Sequence, residues 1–362
     1  MREHKFLTFL ILSLSLAAFF AGYVMIKRGD SSFGSKTGTI LDKFTQQKQQ
    51  AAQDTKNDNP EPYLLADQKV VSPINSLNKG GVMYFAKDTG KLLEIDTDNR
   101  IIQPISDQNL PNFISAIWSP NKKEVLNYFY SPTGNFYKYV NLDTSRTVEL
   151  NRNIRAVTFS PDGGLITYYY LDEADGSNPL GKIVLSQPDG STPKKILDTR
   201  LKDIKLFWPT IDGIVIKTAS SGIFKLTEDG KLTQIIEPAF GLEEKWSPSG
   251  KKLLFSFLAS DASNQGVILS FREMQSGKDT SLDIPGSAYQ CIWSIDDINI
   301  FCSIPSSSST DDIYKVNTTS GSYNLIAELD MLVNEFFLSP LEDRLFFTST
   351  SDKKLYGLKI SN

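Results

Sequence analysis

The stretch Trp246-Ser247-Pro248-Ser249-Gly250-Lys251-Lys252-Leu253-Leu254-Phe255 decides the fold. It reads as the end of one strand, a tight turn and the start of the next. Pro248 fixes φ and has no amide hydrogen to give a sheet. Ser249-Gly250 supplies turn residues, Gly tolerating positive φ. Lys251 and Lys252 leave the turn into water, and Leu253-Leu254-Phe255 enters a core.

The unit recurs as Trp118-Ser119-Pro120-Asn121, Phe159-Ser160-Pro161-Asp162-Gly163 and Leu338-Ser339-Pro340. Phe207-Trp208-Pro209 and Trp293-Ser294-Ile295-Asp296-Asp297 are degraded copies, and Val71-Ser72-Pro73 is a seventh. The proline slots fall at 73, 120, 161, 209, 248, 295 and 340. Those intervals suit a propeller blade of four short strands. Each copy is followed by an apolar or β-branched run, then by a third strand such as Lys182–Ser186 or Gly222–Leu226. Pro188-Asp189-Gly190 and Glu228-Asp229-Gly230 supply further hairpin turns. No helical period of useful length follows residue 62.

The Trp-Ser-Pro-Asp/Ser-Gly-Lys unit at this period resembles the TolB-type propeller repeat, a relative of WD-type repeats, over residues 62–362. The expected fold is all-β: a seven-bladed propeller of four-stranded blades. Only two strands follow Pro340 in the last blade's allotment, so Tyr63–Val71 is expected to complete it and lock the ring.

Ahead of the propeller, residues 1–5 form a short tail. Phe6–Ile26 is 21 residues without a charge. At about 1.5 Å per residue it spans about 30 Å, one bilayer core. Cleavage after Ser15-Leu16-Ala17 is the alternative, and would leave an apolar stub. Residues 27–61 read as a flexible, disordered linker with a reach of about 30–35 Å. Charges flanking the span do not favour export of the C-terminal side. The resemblance implies the opposite, a cell-membrane protein with an extracytoplasmic propeller.

The chain carries 38 Lys and Arg against 42 Asp and Glu. The propeller region is more acidic than the whole, which argues against nucleic acid. The one histidine, His4, lies in the tail. That excludes histidine-based nucleophile systems and His-ligated metal in the propeller. No nucleophile elbow, phosphate loop or cofactor motif is present. The expected function is therefore a non-enzymatic module binding a protein, peptide or envelope polymer. The alternative is a carbohydrate-active enzyme with paired carboxylates on the propeller face, or a cytoplasm-facing scaffold.

Loops between the second and third strands of the blades gather on one face. There Asp172, Glu173 and Asp175 are weak candidates for a Ca²⁺ site, a solvated turn being the plainer reading. Cys291 and Cys302 flank a turn symmetrically, so they face each other as a disulfide or as two buried thiols. Tyr128-Phe129-Tyr130, Phe136 and Tyr168-Tyr169-Tyr170 are packing aromatics or a groove lining. Trp118, Trp246 and Trp293 share one repeat position and are expected in the core. Trp208 is one position out of register and is a candidate surface anchor.

Overall fold

A computed structural model describes residues 60–360, apart from 79, 173–178, 212, 219 and 260–265. The anchor segment Phe6–Ile26 and the linker to residue 59 lie outside the described residues. Among the described residues no helix is long and apolar enough to cross a membrane.

The described chain forms seven four-stranded antiparallel sheets. Blade 1 runs Val70–Asn75, Gly81–Ala86, Leu92–Asp96 and Ile102–Pro104. Six more blades repeat the plan, and their first strands, such as Phe113–Trp118 and Glu243–Trp246, lie next to one another around the axis. The last blade has Val333–Leu338, Arg344–Ser349 and Leu355–Lys359, and its outer strand is Tyr63–Ala66, paired with Leu355–Lys359. Val70 and Val71 belong instead to the first strand of blade 1.

No blade has a core of its own. Seven hydrophobic clusters each straddle two neighbouring blades. One joins Leu254, Phe271 and Leu282 of blade 5 to Trp293, Ile300 and Tyr314 of blade 6. Another joins Leu65, Ala66 and Phe346 of blade 7 to Val82, Tyr84 and Ile95 of blade 1. The apolar runs after the repeat turns are second strands, and Gly81–Ala86 and Gly213–Thr218 are buried throughout.

The repeat chemistry is visible atom by atom. Its serine is buried in every turn where it occurs: Ser119, Ser160, Ser247, Ser294 and Ser339. The hydroxyl accepts an amide five residues on, from Glu124, Leu165, Lys252 or Arg344, at 2.9–3.1 Å. This bond adds to the backbone pairs that close the turn, such as the Ser247 amide on the Lys252 carbonyl and the Gly250 amide on the Ser247 carbonyl. Two residues after the proline slot, the chain turns left-handed. Gly163 and Gly250 take φ of 76° and 68° there. In the copies without glycine, Lys122, Asp297 and Glu342 take the same conformation at 60°, 56° and 56°. The indole nitrogens of Trp118 and Trp293 donate to the Ser72 and Lys245 carbonyls of the preceding blade's first strand, at 2.9 and 3.0 Å. In these two copies the tryptophan is a clamp between blades, whereas the Trp246 indole nitrogen has no partner among the described residues.

Two repeat assignments need correction. Val71-Ser72-Pro73 is not a turn but the middle of a first strand, and Ser76-Leu77 makes the turn of blade 1. Trp208 is not a surface anchor. It is 8% exposed and packs with Leu206, Ile214 and Ile216. A bulge between Phe207 and Thr210 shifts the strand and returns the indole to the blade interface.

Cys291 and Cys302 are register partners on adjacent strands and are joined as a disulfide. Lys217 of blade 4, 5% exposed, reaches across to blade 5. It pairs with Glu243 at 2.7 Å and with buried Glu244. Burial pushes the Glu244 carboxyl above its ordinary range, and Lys217 opposes that shift.

Two outcomes are expected. Leu65→Ala, at the closing strand, should cost about 3 kcal/mol, and deleting residues 60–66 more. Thermal unfolding of both chains checks this, and an unchanged midpoint for the deletion would show that the ring does not depend on its closure. Lys217→Met strands a buried carboxylate and should cost about 3–5 kcal/mol at neutral pH. A carboxyl with a raised folded pKa loses stability as pH rises toward that value, so the deficit should shrink in acid, where Glu244 protonates. Urea melts at two pH values measure the difference.

Candidate active site

The first strands are not regular where they face the axis. Val70–Asn75 bulges between Val71 and Ile74, and Val333–Leu338 bulges between Asn334 and Phe337. Inside these bulges Ser72 and Glu335 adopt left-handed φ of 51° and 43°. Non-glycine residues hold such angles at a cost of about 1–3 kcal/mol each, and they concentrate at functional sites. The two residues belong to adjacent blades, at the seam where the ring closes.

Ser72 is the hub of this seam. Its amide lies near enough to the Glu335 carboxylate to hold that group's pKa down. Its hydroxyl accepts the Ala116 amide of blade 2 at 2.9 Å, and its carbonyl accepts the Trp118 indole. Blades 1 and 2 are thereby tied through one residue.

The bulges line an axial cavity of ≈ 440 Å³, which also takes in Lys245, Tyr289, Gln290 and Asn334. Tyr289 projects from a short 3-10 turn, Ala288–Gln290, capped by Ser287 and held by the Ala288 amide on the Ser256 hydroxyl at 2.9 Å. The ring is 63% exposed, and its hydroxyl donates to Asn334 Oδ1 at 3.0 Å. Tyr289 and Gln290 precede their blade's first strand, and Val333–Glu335 opens another. The cavity therefore opens on the face that carries the loops between second and third strands.

Two groups in the cavity are displaced toward each other. Glu335 is exposed at the cavity surface, and the surrounding blades desolvate it only in part. This desolvation raises its pKa, against the opposing pull of the Ser72 amide, Lys353 and Lys87. Desolvation lowers the pKa of Lys245, against the pull of Glu244. Burial, then Glu335 and Glu243, raise that of the Tyr289 phenol. A carboxyl that holds its proton longer and an amine that sheds its proton sooner are an acid and a base in waiting.

Behind the cavity wall, Asp311 accepts the Ser303 hydroxyl at 2.6 Å and the Val333 amide at 2.8 Å. Burial raises its pKa as well. It sits one layer back and fixes the strand that presents Glu335.

The residues singled out from sequence fall elsewhere. Of the calcium candidates, Glu173 and Asp175 lie outside the described residues, and Asp172 begins that loop. No cluster of metal-ligating side chains occurs among the described residues. Trp118 is half-buried and lines the axial cavity besides packing between blades. Sequence reasoning missed Glu335, Lys245 and Tyr289. The available signal was a charge inside an apolar first strand: Lys245 directly precedes Trp246, and Glu335 directly precedes Phe336-Phe337.

No family model matches the chain, and no curated protein matches it by sequence. Solved structures do match by shape. An oligogalacturonate lyase in complex with manganese has a TM-score of 0.62 at 12% identity, covering 84% of this chain and 96% of its own. The β-propeller domain of the Trilobed protease from Pyrococcus furiosus has a TM-score of 0.58 at 12% identity, covering 82% and 97%. The acylaminoacyl peptidase of Pyrococcus horikoshii has 0.58 at 12% identity, covering 81% of this chain and 51% of its own. TolB from Acinetobacter baumannii reaches 0.39 at 15% identity, covering 82% and 64%, too distant in shape to carry an argument. These likenesses establish a seven-bladed propeller and nothing finer. They also correct the expectation of a non-enzymatic binding module, because propellers of this shape include enzymes. Missing histidines removed some chemistries, and the axial cavity supplies another from Glu, Lys and Tyr.

Proposed function

We propose that the propeller is a carbohydrate-active enzyme that cleaves a uronate-containing glycan by proton transfer in its axial cavity. The placing of Glu335, Lys245 and Tyr289 in one axial cavity carries this reading, and the opposed pKa directions of Glu335 and Lys245 support it. A neutral amine as base suits elimination better than hydrolysis. Lys245 takes the proton beside the uronate carboxyl, the carbon–oxygen bond to the leaving sugar breaks, and a double bond forms. Glu335 gives its proton to the departing oxygen, and Tyr289 positions the ring through its bond to Asn334. The oligogalacturonate lyases of similar shape, one of them from Vibrio parahaemolyticus, act by name on the same substrate class.

A second reading is hydrolysis by paired carboxylates on the propeller face. Product chemistry separates the two: elimination leaves an ultraviolet-absorbing unsaturated end, and hydrolysis does not.

Incubation of the full chain with a panel of acidic and neutral glycans tests the proposal. Glu335→Gln and Lys245→Met should each lower kcat/KM about 100-fold or more. The wild-type pH profile should be bell-shaped. Glu335→Gln should lose the limb set by that carboxyl, so its residual rate should rise with pH as Lys245 deprotonates. No product from any glycan would overturn the reading.

In this reading Phe6–Ile26 anchors the chain in a membrane and the propeller meets its glycan outside the cytoplasm. Protease treatment of intact cells should remove a C-terminal tag. Survival of the tag until the cytoplasmic membrane is breached would place the propeller inside.

A further inference from the structure

A second cavity, of ≈ 370 Å³, lies away from the axis in the cleft between blades 1 and 2. It is walled by the loop 105–112, which joins those blades, and by Glu124–Phe129 and Phe136–Asn141 of blade 2. The loop is pinned at both ends. The Leu110 amide donates to the Thr89 carbonyl of blade 1, and the Tyr130 amide donates to the Asn112 carbonyl, both at 2.9 Å. Gly90 lets the loop come close, since a Cβ there would sit 2.6 Å from Leu110. The cleft is therefore a built site rather than a gap.

Its chemistry is specific. Phe129 and Phe136 stack at 5.4 Å, and Tyr130 stands 56% exposed at the rim. The Lys138 ammonium lies over both phenyl rings, at 5.3 and 5.5 Å, and has no carboxylate partner among the described residues. Asn127 lines the cleft and is 3% exposed. Its Oδ1 finds no hydrogen-bond partner among the described residues. A buried acceptor left unpaired costs about 1–3 kcal/mol, so a ligand hydroxyl that satisfies it is held specifically. Phe129 is buried and the Arg152 guanidinium lies over Phe136 at 4.3 Å, so the exposed Tyr130 ring is the face open to a sugar, while Asn127 takes a hydroxyl and Lys138 takes a carboxylate.

We infer that the cleft between blades 1 and 2 is a subsite for an acidic sugar residue, distinct from the axial cavity. The inference rests on the carbohydrate reading above and deepens it. The loop 105–112 and the turn after Tyr130 lie on the face where the axial cavity opens. The same polymer then meets both, one residue held in the cleft while another is cut at the axis.

Calorimetric titration of the full chain with a uronic-acid trisaccharide, and with its neutral counterpart, tests this. Lys138→Met should weaken the acidic probe at least about tenfold and leave the neutral one unchanged. Asn127→Leu should weaken both while raising Tm, because it removes an orphaned acceptor. A residue of merely structural role would not couple tighter folding to weaker binding. Glu335→Gln should stop turnover and leave cleft affinity intact. If Lys138→Met and Asn127→Leu bind like the parent chain, or if an acidic peptide binds in a Lys138-dependent way and the sugars do not, the subsite is overturned. Cleft binding without any turnover would uphold the subsite and sink the enzyme, and turnover without cleft binding would do the reverse.

Discussion

Every blade of this protein buries its apolar side chains against a neighbour and not within itself. The seven clusters, from that of Leu65 and Tyr84 round to that of Leu345 and Phe347, are all interfaces. A sheet of four short strands has too little apolar area to fold alone. Removing one interface therefore exposes faces on both sides of the break. The chain closes the ring with its own first strand, so blade 7 contains residues more than 280 positions apart, as in the Lys354–Asp67 ion pair at 2.5 Å.

This constraint explains why the repeats survive as turn chemistry. A turn must be rebuilt in each blade from local residues, and local rules are legible. The Ser-Pro-x-Gly signal was read correctly where the serine hydroxyl closes the turn. Its weakest copies are still propeller turns, because Lys122, Asp297 and Glu342 accept the left-handed angle that Gly163 and Gly250 take freely. Reading failed where a bulge intervened. Trp208 is turned inward by one, and Ser72-Pro73 mimics a turn inside a strand by virtue of another. A bulge shifts alternation by one residue, and composition alone does not show where it occurs.

The candidate site was less legible for a different reason. Its parts come from blades 1, 5, 6 and 7, and only ring geometry brings Ser72, Lys245, Tyr289 and Glu335 to one cavity. Their pKa displacements are products of enclosure, which no residue type announces. Reading the missing histidines as missing catalysis was an inference from side-chain identity. The structure replaces it with one from environment: partial enclosure raises the pKa of Glu335 and lowers that of Lys245.

Closure and chemistry meet at the same place. Glu335 is in blade 7, Ser72 in blade 1 and Ala116 in blade 2; Ser72 hydrogen-bonds to blade 2, and its amide lies near the Glu335 carboxylate of blade 7. The left-handed angles at Ser72 and Glu335 are unfavourable for an isolated strand. They are held because the neighbouring blades fix both strands from outside. The seam must therefore be shut before the Ser72 amide reaches the Glu335 carboxylate. Strain at the axis is borne by packing at the periphery, where Tyr63–Ala66 completes the last sheet. A propeller whose ring is loosely closed would keep its blades and lose the approach of the Ser72 amide to Glu335, because the two belong to opposite sides of the seam.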